Sequence, residues 1–233
     1  MTGHVIIFLG PPGSGKGTQA AKLSGCLGIP AISTGELLRQ ECKSGSELGR
    51  TVRALLDTGQ LVGDDLMNRI VADRISREDC QNGCILDGYP RTVAQAHCLD
   101  EVLSRCGNRK CTIFHFSISG NEVVERLSRR RQCGVCGRVY SASAPDETGT
   151  TCDVDGTPLM CRDDDNPATI LERLRIYRRN SAELVRYYRQ ADYHLVMAGG
   201  SPADVEAELL GFIGTDDGRN HRSFAPALAH AAV

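Results

Sequence analysis

The sequence predicts an α/β protein in which helices cover both faces of a parallel sheet. Residues 5–9 form a continuous apolar run rich in β-branched side chains, which is typical of a strand buried on both faces. A turn rich in Gly and Pro follows, and after it a helical pattern over residues 15–27. Short apolar runs then alternate with helical patterns along the chain, and this alternation predicts parallel strands joined by helices.

The remaining elements follow from the same patterns. Apolar runs predict strands at residues 85–88, 112–116 and 194–197, and periodicity predicts helices at residues 35–43, 46–57, 64–77, 92–106, 121–131 and 167–190. Residues 132–165 interrupt the alternation with Gly, Cys and turn residues, so we expect an inserted lobe there. Residues 215–233 carry no core pattern, and we expect a disordered tail.

Length and composition restrict the classes of function. The 233 residues suffice for one buried core with small inserted lobes. The formal net charge of −2 favours neither nucleic acid nor a membrane as partner, so an anion site must come from a local cluster of Arg and Lys. No apolar run is long enough to span a bilayer and the first residues form no charged leader, so we expect a cytoplasmic protein.

A phosphate-binding loop is predicted at residues 10–18, GPPGSGKGT, between the first predicted strand and helix. Glycines there let successive N–H groups point inward, and the helix N-terminus adds positive potential. The usual pattern places Ser or Thr directly after Lys, whereas Gly17 intervenes here. The residues expected to bind the donor phosphates are Gly13, Ser14, Gly15, Lys16, Gly17 and Thr18, with Lys16 reaching the β- and γ-phosphates.

This loop closely resembles the phosphate loop of adenylate kinases, and the resemblance extends from about residue 5 to residue 202. Residues 32–39 (ISTGELLR) resemble the AMP-side motif of that family, and residues 87–92 (DGYPRT) with Gln95 are similar to its second nucleotide-binding signature. Residues 162–165 (RDDD) and the later Arg173 resemble the far edge of its mobile lid. Because the motifs keep their order and spacing, they are jointly highly specific.

The resemblance implies a P-loop NTPase-like core with two inserted mobile lobes. The core would comprise residues 1–32, 63–128 and 166–214, with an NMP-binding insert at residues 33–62 and a zinc-binding lid at residues 129–165. The implied reaction is reversible phosphoryl transfer from Mg-ATP to AMP, giving two ADP, in nucleotide homeostasis and purine salvage. The resemblance also implies a monomer whose partners are ATP, AMP and ADP.

Arginines suit this reaction because the planar guanidinium binds phosphate oxygens in pairs and keeps its proton. By resemblance, Arg39 and Arg91 hold the AMP phosphate, Arg126 and Arg130 meet the donor phosphates, and Arg162 and Arg173 close over the transferring group. The implied catalytic residues are Lys16, Arg91, Arg126, Arg130, Arg162 and Arg173. The other implied contacts are Val139, Tyr140 and Ser201 for ATP, and Thr34, Gln60, Leu61, Val62, Gly88 and Gln95 for AMP.

Two polar side chains have alternative interpretations. Asp87 ends an apolar strand, where a carboxylate is costly to bury without a partner. We expect it to hold Mg²⁺ through water, and a strand-end cap is the alternative. Gln95 offers a donor and an acceptor to the adenine edge, and an exposed helix residue is the alternative.

Four of the eleven cysteines fall within residues 133–161. The segment CGVCG (133–137) has the spacing of a metal-binding knuckle, and CDVDG (152–156) would match it if Asp155 were Cys. Cys133, Cys136, Cys152 and Asp155 therefore form a candidate structural Zn²⁺ site, which is also similar to the metal-bearing lid of some adenylate kinases. Cys161 is a competing fourth ligand, and reduced cysteines without metal are the alternative.

Other functions remain open from the sequence. The acceptor could be UMP, CMP or GMP, and the donor could be GTP, although Gln95 and the long lid favour AMP. A zinc-containing nucleic-acid-binding module is disfavoured by the charge balance and by an aromatic content of only 5 %. A regulatory protein that binds nucleotide without turnover would not need the full set of arginines.

Overall fold

The structure is a computed structural model and describes residues 3–106, 110–141 and 150–214. The strands are β1 (His4–Leu9), β2 (Ala31–Ser33), β3 (Gly83–Asp87), β4 (Lys110–Ser117), β5 (Arg130–Cys133), β6 (Val139–Ser141), β7 (Leu159–Met160) and β8 (Asp192–Met197). The helices are α1 (Lys16–Leu27), α2 (Thr34–Lys43), α3 (Glu47–Asp57), α4 (Asp64–Ile75), α5 (Val93–Arg105), α6 (Gly120–Arg129), α7 (Pro167–Tyr188) and α8 (Pro202–Gly214). Two short 3₁₀ turns lie at Glu78–Cys80 and Asp163–Asp165.

The main sheet has five parallel strands in the order β2-β3-β1-β4-β8, with β1 at its centre. This arrangement confirms the predicted α/β fold with a parallel sheet. The carboxyl ends of β1, β3 and β4 lie side by side, since Phe8 pairs with Asp87 and Leu9 with His115. Open parallel sheets bind their ligands at this edge.

The apolar run at the start of the chain is continuous because both faces of β1 are covered. Val5 and Ile7 point into one core cluster, which contains residues of α4, α5 and α7. Ile6 and Phe8 point into the other, which contains residues of α1 and α8. All four side chains are at most 1 % exposed, so alternate residues of one strand stabilise both layers of helices.

Several elements differ from the sequence-based expectation. The short strand β2 and the helix α8 were not predicted. Residues 132–165 were expected to form an inserted lobe, and no strands were predicted there, whereas β5, β6 and β7 form a small antiparallel sheet with the order β6-β5-β7. β5 begins at Arg130, so α6 ends two residues earlier than predicted. Short strands without alternating apolar residues leave no period for sequence analysis to detect.

The tail predicted at residues 215–233 lies outside the residues that the structure describes. Among the helices of residues 3–106, 110–141 and 150–214, none combines the length and the apolar character needed to cross a membrane.

Candidate active site

A cleft of about 1180 Å³ opens at the carboxyl edge of the sheet. Its walls come from the phosphate loop, from α2, from the ends of β3 and β4, from the small antiparallel sheet and from α7. The cleft is larger than most single-ligand pockets, which are about 300–1,000 Å³. Predicted site residues that line it are Gly13, Ser14, Gly15, Lys16, Gly17, Thr18, Arg39, Leu61, Asp87, Gly88, Arg91, Arg126, Arg130, Val139, Arg162, Arg173 and Ser201.

The phosphate loop curls around the side chain of Lys16, the first residue of α1. The Lys16 ammonium donates hydrogen bonds to the carbonyl oxygens of Gly10 (3.0 Å) and Pro11 (2.7 Å) and to Ser14 Oγ (3.2 Å). Ser14 is buried, and its N–H donates to Pro11 O, which closes the turn. The lysine is therefore held at the helix N-terminus, where backbone N–H groups favour anions.

Asp87, at the end of β3, faces the same loop. A Cβ atom added at Gly17 would lie 3.3 Å from Asp87 Oδ2. Gly17, which stands where the usual loop pattern has Ser or Thr, therefore lies directly beside this carboxylate. The Asp87 carboxylate partly opposes the fall in the pKa of Lys16 that burial causes, as an opposite charge does. A single carboxylate beside a phosphate loop fits Mg²⁺, which keeps several waters and takes few protein ligands.

Two arginines on the side of the small antiparallel sheet are paired with aspartates from the 3₁₀ turn. Arg130 donates from Nε to Asp165 Oδ2 at 2.7 Å and from Nη2 to Oδ1. Arg173 Nη1 lies 3.2 Å from Asp164 Oδ2 and 3.6 Å from Asp165 Oδ1. Both aspartates belong to the predicted RDDD motif, and they orient these guanidinium groups.

On the other side of the cleft, Gly88 permits a close approach of backbone and side chains. Its φ is +83°, and an added Cβ would lie 2.9 Å from Thr34 Oγ1 and 3.1 Å from Arg91 Nη2. Arg91 Nε donates to Gly88 O at 2.8 Å, and Thr34 Oγ1 donates to the same carbonyl at 3.0 Å. Arg39 forms an ion pair with Glu36 of α2.

The positively charged side chains in the cleft lower one another's pKa values. Burial lowers the pKa of Lys16 to about 8, with Asp87 opposing and Arg91, Arg173 and Arg130 adding to the fall. Burial also lowers the pKa of Arg173 to about 10, and burial with Arg130 lowers that of Arg162 to about 10. The cleft is therefore short of negative charge, and phosphate groups would supply it.

Gln95 is only 2 % exposed, so it is not the exposed helix residue that was the alternative interpretation. Its Nε2 donates to Asp64 Oδ1 at 2.7 Å, and its Oε1 accepts the Arg91 N–H at 2.8 Å. Thr92 caps α5 by accepting the Gln95 N–H. These two bonds use one N–H and one lone pair of the amide, which has two of each.

Five of the predicted contact residues do not line the cleft. Thr34, Val62 and Gln95 are buried beside it. The Gln60 side chain instead donates to Glu172 of α7 at 2.7 Å. The Tyr140 hydroxyl is directed to Asp153 and, at 3.2 Å, to Cys152 Sγ.

Sequence analysis missed several polar cleft residues, and four of them lie on β4 and α7 beside the phosphate loop. They are His115 on β4 and Tyr177, Asn180 and Ser181 on α7. A signal for Tyr177 was present, because it lies one helical turn after Arg173 and so on the same helix face. His115 follows a buried run of β4 and gave no signal of its own.

A second site lies in the small antiparallel lobe. Cys133, Cys136, Cys152 and Asp155 each offer one ligand atom, and these atoms all lie within 4.8 Å of one another. The turns after Cys133 and Cys152 are alike, since each is closed by a glycine N–H bonded to the cysteine carbonyl, from Gly137 at 3.1 Å and Gly156 at 2.9 Å.

This group fits a metal ion. Cys136 Sγ lies 3.5 Å from Cys152 Sγ, and Cys133 Sγ lies 3.3 Å from Asp155 Oδ2. Tetrahedral Zn²⁺ with bonds of about 2.3 Å to sulfur separates two sulfurs by about 3.8 Å. Of the described residues, the exposed Cys161 lies outside the group, so the geometry favours Asp155 as the fourth ligand.

Comparison with known proteins identifies the family. A family model described as adenylate kinase matches residues 8–193. The adenylate kinase of Thermosipho melanesiensis is 45 % identical over 210 residues, which cover 89 % of this chain and 98 % of that protein. The adenylate kinase of Archaeoglobus fulgidus is 45 % identical over 186 residues, 79 % of this chain and 86 % of that protein. The chain therefore belongs to the adenylate kinase family, phosphotransferases that act on adenine nucleotides.

Proposed function

We propose that this protein catalyses the reversible transfer of the γ-phosphoryl group of Mg-ATP to AMP, giving two ADP. The observation that carries the proposal is the convergence of a phosphate loop and six arginines, from separate elements, on one cleft. Phosphoryl transfer requires little covalent chemistry from a protein, since positioning and neutralisation of charge provide most of the catalysis.

The proposed roles follow the positions of the side chains. Lys16 and the loop N–H groups bind the donor phosphates, with Arg126 and Arg130 beside them. Arg39 and Arg91 bind the acceptor phosphate on the side of Gly88. Arg162 and Arg173, between the two, bind the transferring group. No general base is needed because the acceptor is already a phosphate oxygen.

Asp87 would hold Mg²⁺ through water, and the ion would neutralise phosphate charge during the transfer. The proposed base contacts are Thr34, Leu61, Val62 and Gln95 for AMP, and Val139, Tyr140 and Ser201 for ATP. Gln60 completes the proposed acceptor side. Closure of the two lobes, residues 33–62 and 129–165, would exclude water from the phosphates.

We also propose a structural Zn²⁺ held by Cys133, Cys136, Cys152 and Asp155. A closed set of four ligands leaves no open position for a substrate. None of the eleven cysteines, all of which lie in the described residues, forms a disulfide, which suits a reducing compartment and supports the proposed cytoplasmic location. The proposed working form is a monomer, with both nucleotides bound in the cleft of one chain.

A screen of acceptors tests this function. The assay couples ADP formation to a detectable product, with Mg-ATP as donor and AMP, GMP, CMP or UMP as acceptor. We expect turnover with AMP alone. A different preferred acceptor would contradict the role given to Gln95, and no turnover with any acceptor would contradict the proposed function.

A further inference from the structure

A chain of three polar side chains, two of which line the cleft, has no role in the reaction as described so far. His115 ends the core of β4, Tyr177 lies on α7, and Tyr193 lies on the neighbouring strand β8. His115 Nδ1 is 2.5 Å from the Tyr193 hydroxyl, and His115 Nε2 is 2.9 Å from the Tyr177 hydroxyl. The imidazole thus connects the edge of the sheet with α7.

The surroundings of His115 favour the neutral imidazole. Burial lowers its pKa, and the charge of Lys16 lowers it further. A neutral imidazole has one N–H and one free lone pair, so one tyrosine accepts from it while the other donates to it. The bridge therefore fixes both hydroxyl groups and adds no charge beside Lys16.

Tyr177 is one turn beyond Arg173 on the same face of α7. The apolar face of this helix is anchored in the core by Leu184 and Tyr188 near its end, and it packs against α6 through Ile170 and Leu174 near Arg173. The polar contacts of this first part include the Arg173 pairs with Asp164 and Asp165 of the short 3₁₀ turn and the bond from Thr169 to Asp57 O, and none of these contacts reaches the sheet. The bond from Tyr177 to His115 ties this part of the helix to the sheet itself.

We propose that His115 is a positioning residue for phosphoryl transfer, which holds Tyr177 through Nε2 and so orients the face of α7 that presents Arg173 to the phosphates. This inference rests on the proposed function and concerns a residue that acts through α7 rather than on the nucleotides. Small displacements of positioning groups cost turnover because transfer depends on alignment.

Two substitutions at His115 distinguish the hydrogen bond of Nε2 from that of Nδ1. The amide of Gln extends to the position of Nε2, and the shorter amide of Asn extends to that of Nδ1. His115→Gln keeps a partner for Tyr177, whereas His115→Asn keeps one only for Tyr193. Tyr177→Phe removes a single oxygen from the other end of the bond. Tyr187→Phe, on the same helix but bonded to Asp100 of α5, is the matched control.

The experiment measures kcat, the KM of each nucleotide and the melting temperature for each variant. We expect His115→Asn and Tyr177→Phe to lower kcat about tenfold, with each KM changed less than about threefold, because one bond to a buried partner is lost. His115→Gln and Tyr187→Phe should keep kcat within about threefold of the parent. His115→Asn combined with Tyr177→Phe should be no worse than either alone, since both break the same bond.

Other outcomes overturn the inference. A kcat for His115→Gln as low as that for His115→Asn would show that the Tyr177 bond is not what matters, and parental kcat in Tyr177→Phe would show the same. Independent, multiplying losses in the double variant would also contradict it. If the His115 variants do not fold, the kcat of Tyr177→Phe is compared with that of Tyr187→Phe, and equal values would contradict the inference. An inactive parent enzyme would instead contradict the proposed function.

Discussion

Lys16 lies where burial and three neighbouring arginines disfavour its charge, yet the phosphates of a nucleotide require that charge. In the structure its ammonium is held by three oxygens of its own loop. Phosphate oxygens would replace these weak neutral acceptors with charged ones, which form shorter and stronger hydrogen bonds. Binding of the nucleotide thus offsets the unfavourable free energy of the buried Lys16 ammonium.

Replacing this lysine should affect turnover far more than stability. We expect Lys16→Ala to lower kcat by about 100-fold or more, since a preorganised donor to the transferring group is lost. Because Lys16 contributes nothing to the apolar core, the melting temperature should stay close to that of the parent. Steady-state kinetics and thermal unfolding measure both effects. Lys43→Ala, at the exposed end of α2, is the control, and near-normal turnover of Lys16→Ala would contradict the assignment.

The pKa of Lys16 also predicts a dependence on pH. Its folded value, about 8, lies below the ordinary 10.5, so between these values the unfolded chain binds more protons, and the Lys16 contribution to the free energy of unfolding rises with pH. Bound phosphates favour the charged form. We therefore expect the KM of ATP to increase above about pH 8 and binding to take up a proton there.

Calorimetry in two buffers of different ionisation enthalpy measures this proton uptake directly. At about pH 8.5 the parent should take up a fraction of a proton on binding ATP, and Lys16→Ala should take up less. Equal uptake by the two proteins would assign the titration to another group.

At the scale of elements, the small lobe of β5, β6 and β7 has too little apolar surface to be stable by itself. Exposed apolar side chains such as Val135 and Val154 occupy the tips of its two knuckles rather than a core. A metal ion bound by four ligands would supply the missing stability, as it does in small zinc domains. The lobe carries Val139 and, at its boundary with the core, Arg130 and Arg162.

Metal analysis tests this account of the lobe. We expect roughly one Zn²⁺ per chain, and removal by a chelator should lower the melting temperature while leaving measurable transfer activity. Asp155→Ala should weaken metal affinity at least about tenfold. Cys161→Ser should retain the metal. Loss of metal in Cys161→Ser with retention in Asp155→Ala would contradict the assigned ligands.

The elements differ in how far they could be predicted. β1 reads as a continuous apolar run because it is buried on both faces, and the long helices have clear periods because each is buried on one face. β2, with three residues, and β7, with two, are too short to show a period. The knuckles were predictable from spacing alone, since Cys133 and Cys136 belong to a single turn.

At the scale of the molecule, the parallel sheet determines where the site lies. Residues far apart in sequence, such as Lys16, Asp87 and Arg173, meet at one edge because parallel strands all end there. Motifs predicted which arginines converge. They did not predict that Asp164 and Asp165 of the RDDD motif pair with Arg130 and Arg173, that Gln60 contacts Glu172, or that His115 forms a bridge. These depend on distances between elements, which no local pattern contains.

The most direct test of direct transfer between two nucleotides starts from ADP alone. The purified protein is incubated with ADP and Mg²⁺, and the products are followed by ³¹P NMR. If one cleft binds both nucleotides and excludes water, ATP and AMP should appear in equal amounts, with no inorganic phosphate beyond that of a protein-free control. Inorganic phosphate accompanied by AMP without ATP would mean hydrolysis, and it would contradict the central claim.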